Sequence, residues 1–460
     1  MTRAALLALA LVSASAMGQT PALPSPAPPP PDLPPPASPP AELAALGQDV
    51  VTVDLASALK LAHTRNLDLE EAKARVRQGR SLVSGALGAA LPGVAVGVDA
   101  MRLDGALPGP NGTYQVGRFE RVSPFVLASW IMRPGQVVFD ILAARRHLVA
   151  LRHDAEFAGQ RVDHDIVQSF YALALAQAQI AVNTRRVGES EELLRLSAAR
   201  EKAGLGLALD TQMARDAMAR ASMDRIRALN AYYAASLRLA GLLDLDPAVL
   251  LVPAQGALPE PQDGGEIGPL DGLTAHALAH RADLAALRQQ VGVSDAAGAA
   301  AILSAVGPQV SANLLTANAI PTGSASDTMF RLPSANASLS LTLSPSVIGK
   351  VQGAAAGKAL ARIAVRRRLE ELRNQVASAR QEVIAAQKSL PLARERLTAG
   401  QAALALARTG VQAGTVIPHG LLVAQANWQQ AQSDYADSLA RYWSARDNLD
   451  FATGATEQKR

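Results

Sequence analysis

LEELRNQVASARQEVIAAQKSLPLARERLTAGQAALALARTGV, residues 369–411, sets Leu369, Val376, Val383, Leu390, Leu397, Leu404 and Val411 at intervals of seven. An apolar repeat of seven held this long demands a left-handed supercoil, because a straight helix would drift away from its partner. The same interval recurs upstream at Ile166, Leu173, Ile180, Val187 and Leu194, at a constant offset of 210. Three residues after most seam positions stands a small side chain: Ser169, Ala176, Ser190 and Ser197, then Ala379, Ala386, Ala393, Gly400 and Ala407. Helices meeting there can approach closely. A helix from Asp140 to Lys202 would extend roughly 90 Å at 1.5 Å per residue, beyond the span of an ordinary domain.

Each long helix ends at glycine and turns back, through Ala203-Gly204-Leu205-Gly206 in the first case and Ala413-Gly414-Thr415-Val416-Ile417-Pro418 in the second. The second returning helix keeps its own heptad at Leu421, Trp428, Tyr435, Tyr442 and Leu449, so hairpins with coiled-coil seams are expected. Pro391 interrupts the pattern, and a proline inside a helix, costing about 3 kcal/mol, predicts a kink.

Residues 51–243 line up with residues 269–452, which makes the chain two repeats. Leu55–Leu69 parallels Leu273–Leu287, and Pro92 and Pro308 each open a segment of alternating character. The clearest is Ala335 to Ser344, where Ala335, Ala337, Leu339, Leu341 and Leu343 share one face and Asn336, Ser338, Ser340, Thr342 and Ser344 the other. Val310, Ala312 and Leu314 against Ser311 and Asn313 repeat it; Val94, Val96 and Val98 against Gly97 and Asp99 do so more weakly, and Phe125 to Met132 is apolar throughout. Strands of about ten residues suit a tilted crossing of a bilayer. Four strands cannot close a barrel, and an open edge in lipid leaves backbone groups unsatisfied at several kcal/mol each, so several chains would have to share one. A half-buried sheet on a soluble domain is the other reading of such alternation.

Arg3, the apolar run Ala4 to Val12 and the small residues Ala14-Ser15-Ala16 have the order of a signal peptide, residues 1–16 or up to 18. A proline-rich segment over 19–48, densest from Pro21 to Pro40, reads as a stiff disordered spacer. The first repeat is then 49–243, a linker 244–268, the second repeat 269–452 and a tail 453–460. With 460 residues, 3% aromatic, and long stretches of Ala, Leu, Arg, Gln and Glu, the composition is that of extended helices. There is no cysteine, hence no disulfide, thiolate metal site or lipid-accepting Cys. No run of some 20 apolar residues follows the leader, so any membrane crossing is made by strands. The net charge of +4 is small, and Lys and Arg are interleaved with Asp and Glu along the helices, which argues against nucleic acid as a partner.

The order helix, strand, loop, strand, long helix, glycine tip, returning helix, given twice, resembles the TolC family of outer-membrane efflux proteins over nearly the whole mature chain. Leu55-Ala-Ser-Ala-Leu59 with Asn66-Leu67-Asp68-Leu69, Leu91-Pro92, Gln168-Ser-Phe-Tyr171, Ala199-Arg200 with Ala203-Gly204, and Leu243-Asp244-Leu245-Asp246-Pro247 carry the resemblance in that order. It implies a mainly α fold with transmembrane β: a homotrimer in the outer membrane of a Gram-negative bacterium, sharing a twelve-strand barrel over a periplasmic helical tunnel. It also implies passive conduction for an inner-membrane pump and a periplasmic adaptor, in efflux or type I secretion. Gly204, Leu205, Gly206 and Leu207 with Gly414, Thr415 and Val416 would form the adaptor-docking tips. The acidic residues that often narrow the entrance after the second tip are absent from Pro418-His419-Gly420-Leu421-Leu422-Val423. Asp210 stands at the corresponding place in the first half, where it would line the entrance or favour the start of a helix through its dipole.

No catalytic or cofactor site is indicated. His276 and His280 are four apart on a helix, but no Glu follows His276 as in a zinc protease motif and the chain has no Cys, so a metal site is not expected. His147, His153 and His164 lie among charges on the long helix. Gly85, Gly88, Gly93 and Gly97 lead into a strand, unlike a phosphate loop. A periplasmic coiled-coil scaffold or adaptor without a pore is the competing class, which the heptads alone would permit; the lipid-type alternation at Ala335–Ser344 separates the two.

Overall fold

The computed structural model describes residues 49–108, 112–254, 258–261, 267–322, 330–341, 343–413 and 415–455. The leader and the proline-rich spacer lie outside the described residues. The chain runs β1 (Val50–Val53), α1 (Leu55–Arg65), α2 (Leu67–Gly88), β2 (Gly93–Pro108), β3 (Tyr114–Met132), α3 (Pro134–Lys202), α4 (Ala208–Leu242) and β4 (Leu250–Pro253). It continues α5 (Leu270–His280), α6 (Ala282–Val306), β5 (Pro308–Thr322), β6 (Phe330–Leu341), α7 (Val347–Gln412) and α8 (Pro418–Thr453). Helix, helix, strand, strand, long helix and returning helix thus occur in the same order in both halves.

The 69 residues of α3 and the 66 of α7 make each about 100 Å long at 1.5 Å per residue. Along α3, Ile166, Leu173 and Ile180 are buried and so are Ser169, Ala176, Ser190 and Ser197, the small positions of the seam. On α7 the buried residues include Val376, Ala379, Val383, Ala386, Leu404 and Val411, and on α8 Leu421, Tyr442 and Leu449. The first returning helix has a seam the heptad reading missed: Ala214, Ala221 and Ala228 are buried at intervals of seven. Alanine gives a weak apolar signal in sequence, yet it lets α4 lie close on α3. Helix α7 runs without a break through Pro391.

The opening helical stretch of each half is two helices. Asn66 ends α1 and caps α2, its side chain accepting from the amides of Asp68 and Leu69 at 2.9 and 3.2 Å. Its amide group donates to Leu242 O at 2.8 Å, so α4 ends against the start of α2. Arg281 plays the matching part between α5 and α6, and Arg281 Nη1 donates to Phe451 O of α8 at 2.7 Å. Helices α1 and α5 are each 11 residues long, which sets Leu270, three residues earlier than aligned by sequence, opposite Leu55.

The connection read as a linker carries strand β4, which pairs in parallel with β1, Val50 opposite Leu250. Tyr232 Oη donates to Leu251 O at 2.6 Å and Leu251 N to Ser236 Oγ at 2.9 Å, tying this two-stranded sheet to α4. Burial pushes the Tyr232 hydroxyl's pKa well up, as befits a buried neutral donor. Runs of four residues are too short for a strand period to show in sequence.

Candidate membrane sheet and hairpin tips

Strands β2, β3, β5 and β6 form one antiparallel sheet in the order β2-β3-β5-β6. They are 16, 19, 15 and 12 residues long, longer than the ten expected. The reason lies in the ladder: hydrogen bonding continues past the apolar stretch into charged positions, where Arg102 pairs with Asp104 at 2.9 Å and Glu120 at 3.5 Å.

The register decides which side chains share a face. Val94 lies opposite Ala128, Val96 opposite Val126, Ala128 opposite Leu314, and Leu314 opposite Ala335. Trp130 lies opposite Ala312 and that opposite Ala337; Met132, Val310 and Leu339 complete the next row. One face is therefore apolar from edge to edge. Val94, Val96, Val98, Leu314, Leu339 and Leu341 on it are exposed, Leu339 at 75%. Trp130 on this face sends Nε1–H to Ala90 O at 2.9 Å, an amphipathic ring at the boundary between sheet and helices.

The opposite face is chemically different. Asn313 faces Asn336 and Ser311 faces Ser338, whose hydroxyl oxygens are 2.6 Å apart. Arg121 reaches Asp99 at 3.4 Å. Gly97 stands across from Phe125, and a Cβ there would meet the ring at 2.7 Å, so the ring covers a position that only glycine leaves free. Both edge strands, β2 and β6, have one side unpaired within the described residues.

At the far end the two hairpins stand side by side. Leu193 and Ala214 of the first pack with Leu404, Val411 and Leu421 of the second. Glu189 joins three helices there, accepting from Arg408 at 3.2 Å and from Gln429 at 2.8 Å. In the first tip Gly204 has φ +71°, its amide bonds Glu201 O at 3.0 Å, and Leu205 N reaches back to Arg200 O at 2.9 Å. Gly206 passes so near Arg200 and Glu201 that a Cβ would lie 3.1 to 3.3 Å from them. Leu205 and Leu207 are 82% and 67% exposed, and Leu209 and Ile417, which the sequence reading did not single out, join them.

The second tip folds differently. Thr415 is exposed, whereas Val416 turns inward against Gly410 and Gly420, where added Cβ atoms would meet it at 2.5 and 2.9 Å. Gly414 lies outside the described residues. Asp210 is half-buried in the first turn of α4, whose N-cap Leu207 offers no side-chain acceptor, so the carboxylate sits where it complements the helix dipole.

Among the described residues no cluster of three metal-ligating side chains occurs, and no helix is long and apolar enough to cross a membrane. His276 and His280 stack at 4.0 Å, each Nδ1 against a backbone carbonyl, Thr453 O and His276 O respectively. His164 stacks on Phe451 and holds Asp447 at 2.6 Å, part of the contact between α3 and α8. Asp283 is gripped by Arg281 and Arg368; burial alone would raise its pKa, but the two guanidinium groups outweigh this and hold it below the usual carboxylate range.

No family model matches the chain, and no curated protein does. Solved structures do. The outer-membrane channel OprN superposes with a TM-score of 0.75 at 20% identity, covering 87% of this chain and 90% of that one. The Campylobacter jejuni CmeC outer membrane channel gives 0.74 at 17% over 87% and 85%, and the Vibrio cholerae outer membrane protein VceC 0.71 at 16% over 87% and 96%. Like these structures, the chain has the fold of the TolC-family outer-membrane channels.

Proposed function

We propose that the chain is the subunit of an outer-membrane conduit, a homotrimer in which three four-stranded sheets close one twelve-strand barrel above a helical tunnel through the periplasm. The observation that carries this reading is the apolar face that runs across β2, β3, β5 and β6, while the opposite face mixes Asn313, Asn336, Ser311 and Ser338 with apolar residues such as Phe125 and Leu127, and both edges are open. In lipid such edges must pair, and β2 of one copy with β6 of the next satisfies them. A periplasmic scaffold has no use for Leu339 and Val94 pointing into water. The fold shared with outer-membrane channels supports the same conclusion.

In this reading residues 1–16 direct export, and residues 49–243 and 269–452 are the two repeats of the wall. The exposed apolar tip of Leu205 and Leu207, with Thr415 beside it, meets a periplasmic adaptor that bridges to an inner-membrane pump in efflux or type I secretion. Cargo passes without chemistry. The test is separation of outer from inner membranes, sizing of the detergent-extracted complex and conductance in planar bilayers. A conducting complex of three chains in the outer-membrane fraction is expected; a salt-extractable monomer without conductance would sink the reading.

A further inference from the structure

The interleaving of charge expected from the sequence holds along the hairpins but not above them. Residues 72–88 of α2, 141–153 of α3, 284–294 of α6 and 347–369 of α7 contain no Asp or Glu, while they carry many of the cations of a chain whose net charge is only +4. Contacts between neighbouring helices put these stretches at one height. Gly79 of α2 lies against Leu148 and Leu151 of α3, Arg146 donates to Gly292 O of α6 at 2.8 Å, and Lys358 of α7 pairs with Asp295 of α6 at 2.7 Å. Of the flanking carboxylates, Asp295 is taken up by Lys358, Asp283 by Arg281 and Arg368, Glu71 by Arg75 and Asp68 by Arg161, and Asp154 lines the groove between α2 and α3 with these last four.

The arginines also face one way. Arg80 follows Leu69, buried in one cluster with Ala58, Leu61 and Ala62 of α1, by 11 residues, about three helical turns. Arg152 and Arg145 precede Asp163, which binds His63 of α1 at 2.9 Å, by 11 and 18 residues, three and five turns. Arg362 precedes Arg380, which donates to Gly268 O just before α5, by 18 residues. Arg80, Arg145, Arg152 and Arg362 share the side of the helical layer on which α1 and α5 lie. A conduit must keep its inner side clear, so this is the outer side. These residues are exposed, and among the described residues none makes an ion pair.

Arg145 and Arg152 stand 11 and 18 residues beyond Pro134, about 17 and 27 Å below the start of α3. Lipid headgroups occupy only about 5–8 Å beyond the hydrocarbon, out of reach. We propose that this girdle of arginines docks the conduit on the anionic cell-wall polymer, the carboxylate-bearing peptidoglycan mesh; the proposal rests on the channel reading. The guanidinium fork suits carboxylates, and many exposed contacts, each weak, add through avidity.

The experiment is co-sedimentation of the full-length, detergent-solubilised protein with purified peptidoglycan sacculi. Wild type is expected to sediment at low salt and to be released near 0.5 M, where screening is short-ranged. The variant Arg80→Gln/Arg145→Gln/Arg152→Gln/Arg362→Gln is expected to lose about fivefold or more of the bound fraction at unchanged helicity and oligomeric mass. A control, Arg195→Gln/Arg220→Gln/Arg441→Gln, removing ion-paired arginines on the hairpins, should bind as wild type. Amidation of the sacculus carboxylates should abolish wild-type binding, a readout independent of any variant's folding. Wild type left in the supernatant, a girdle variant or amidated sacculi binding undiminished, or binding to anionic phospholipid vesicles in place of sacculi would each overturn the proposal. Loss of conductance by wild type would instead sink the channel reading, whatever the sacculi bind.

Discussion

Arg281 holds Asp283 by two parallel hydrogen bonds, Nε to Oδ1 at 3.0 Å and Nη2 to Oδ2 at 2.9 Å, with its guanidinium 5.0 Å from the ring centres of both Phe157 and Phe451. Arg281 is 2% exposed, so the pair is buried where α5, α6 and α8 meet α3 and α7. Arg368 of α7 adds a third charge through Nε at 2.8 Å. Arg281 also occupies the place in the second half that Asn66 holds in the first, the break between a short helix and a wall helix.

Removing one partner strands the other. Asp283→Asn should destabilise the fold by about 3–5 kcal/mol, read as a lowered denaturation midpoint by helical circular dichroism. Because the folded pKa of Asp283 lies below its unfolded value, its contribution is complete above about pH 4 and is lost as pH falls through the folded pKa. Wild type should therefore lose stability in acid more steeply than Asp283→Asn, and parallel pH profiles would contradict the assignment.

On the sheet, Leu339→Arg places a charge on the apolar face, one row from Trp130 at its helical end, and should weaken insertion by about 1 kcal/mol, the magnitude for a site near the interface. Ser338→Arg, one residue away on the polar face, should insert normally and change single-channel conductance. Equal losses of inserted protein from the two variants would mean that the faces are not distinguished by lipid.

Gly97→Val would drive a side chain into Phe125 and should lower the yield of assembled protein. Phe125→Ala in the same chain removes the obstruction and should restore assembly. Failure of this rescue would show that some other feature of Gly97 matters.

The two tips should respond differently. Leu205→Ser/Leu207→Ser leaves the hairpin folded but should abolish adaptor cross-linking, since both side chains are exposed. Gly204→Ala at φ +71° should cost about 1–2 kcal/mol, confined to the tip and visible as faster local hydrogen exchange. Val416→Ser should loosen the second hairpin, because Val416 fills the space between Gly410 and Gly420.

The sequence by itself determined the rods, their tips and the two-faced strands. Heptad spacing at Val376 and Val383, glycine at Gly204 and alternation at Leu339 and Ser338 are local periodicities, and a period names the face a residue occupies. It could not say how far the ladder runs beyond the apolar stretch, as at Arg102 and Glu120, nor find the short pair β1 and β4, whose four residues each hold no period. Nor could it show that Val416 packs between Gly410 and Gly420. Only the tertiary structure decided the order β2-β3-β5-β6, which aligns four weak alternations into one apolar face, and the common height and side of Arg80, Arg152 and Arg362. These depend on register between segments hundreds of residues apart, and register is fixed by packing and hydrogen bonding between neighbours, which no single segment contains.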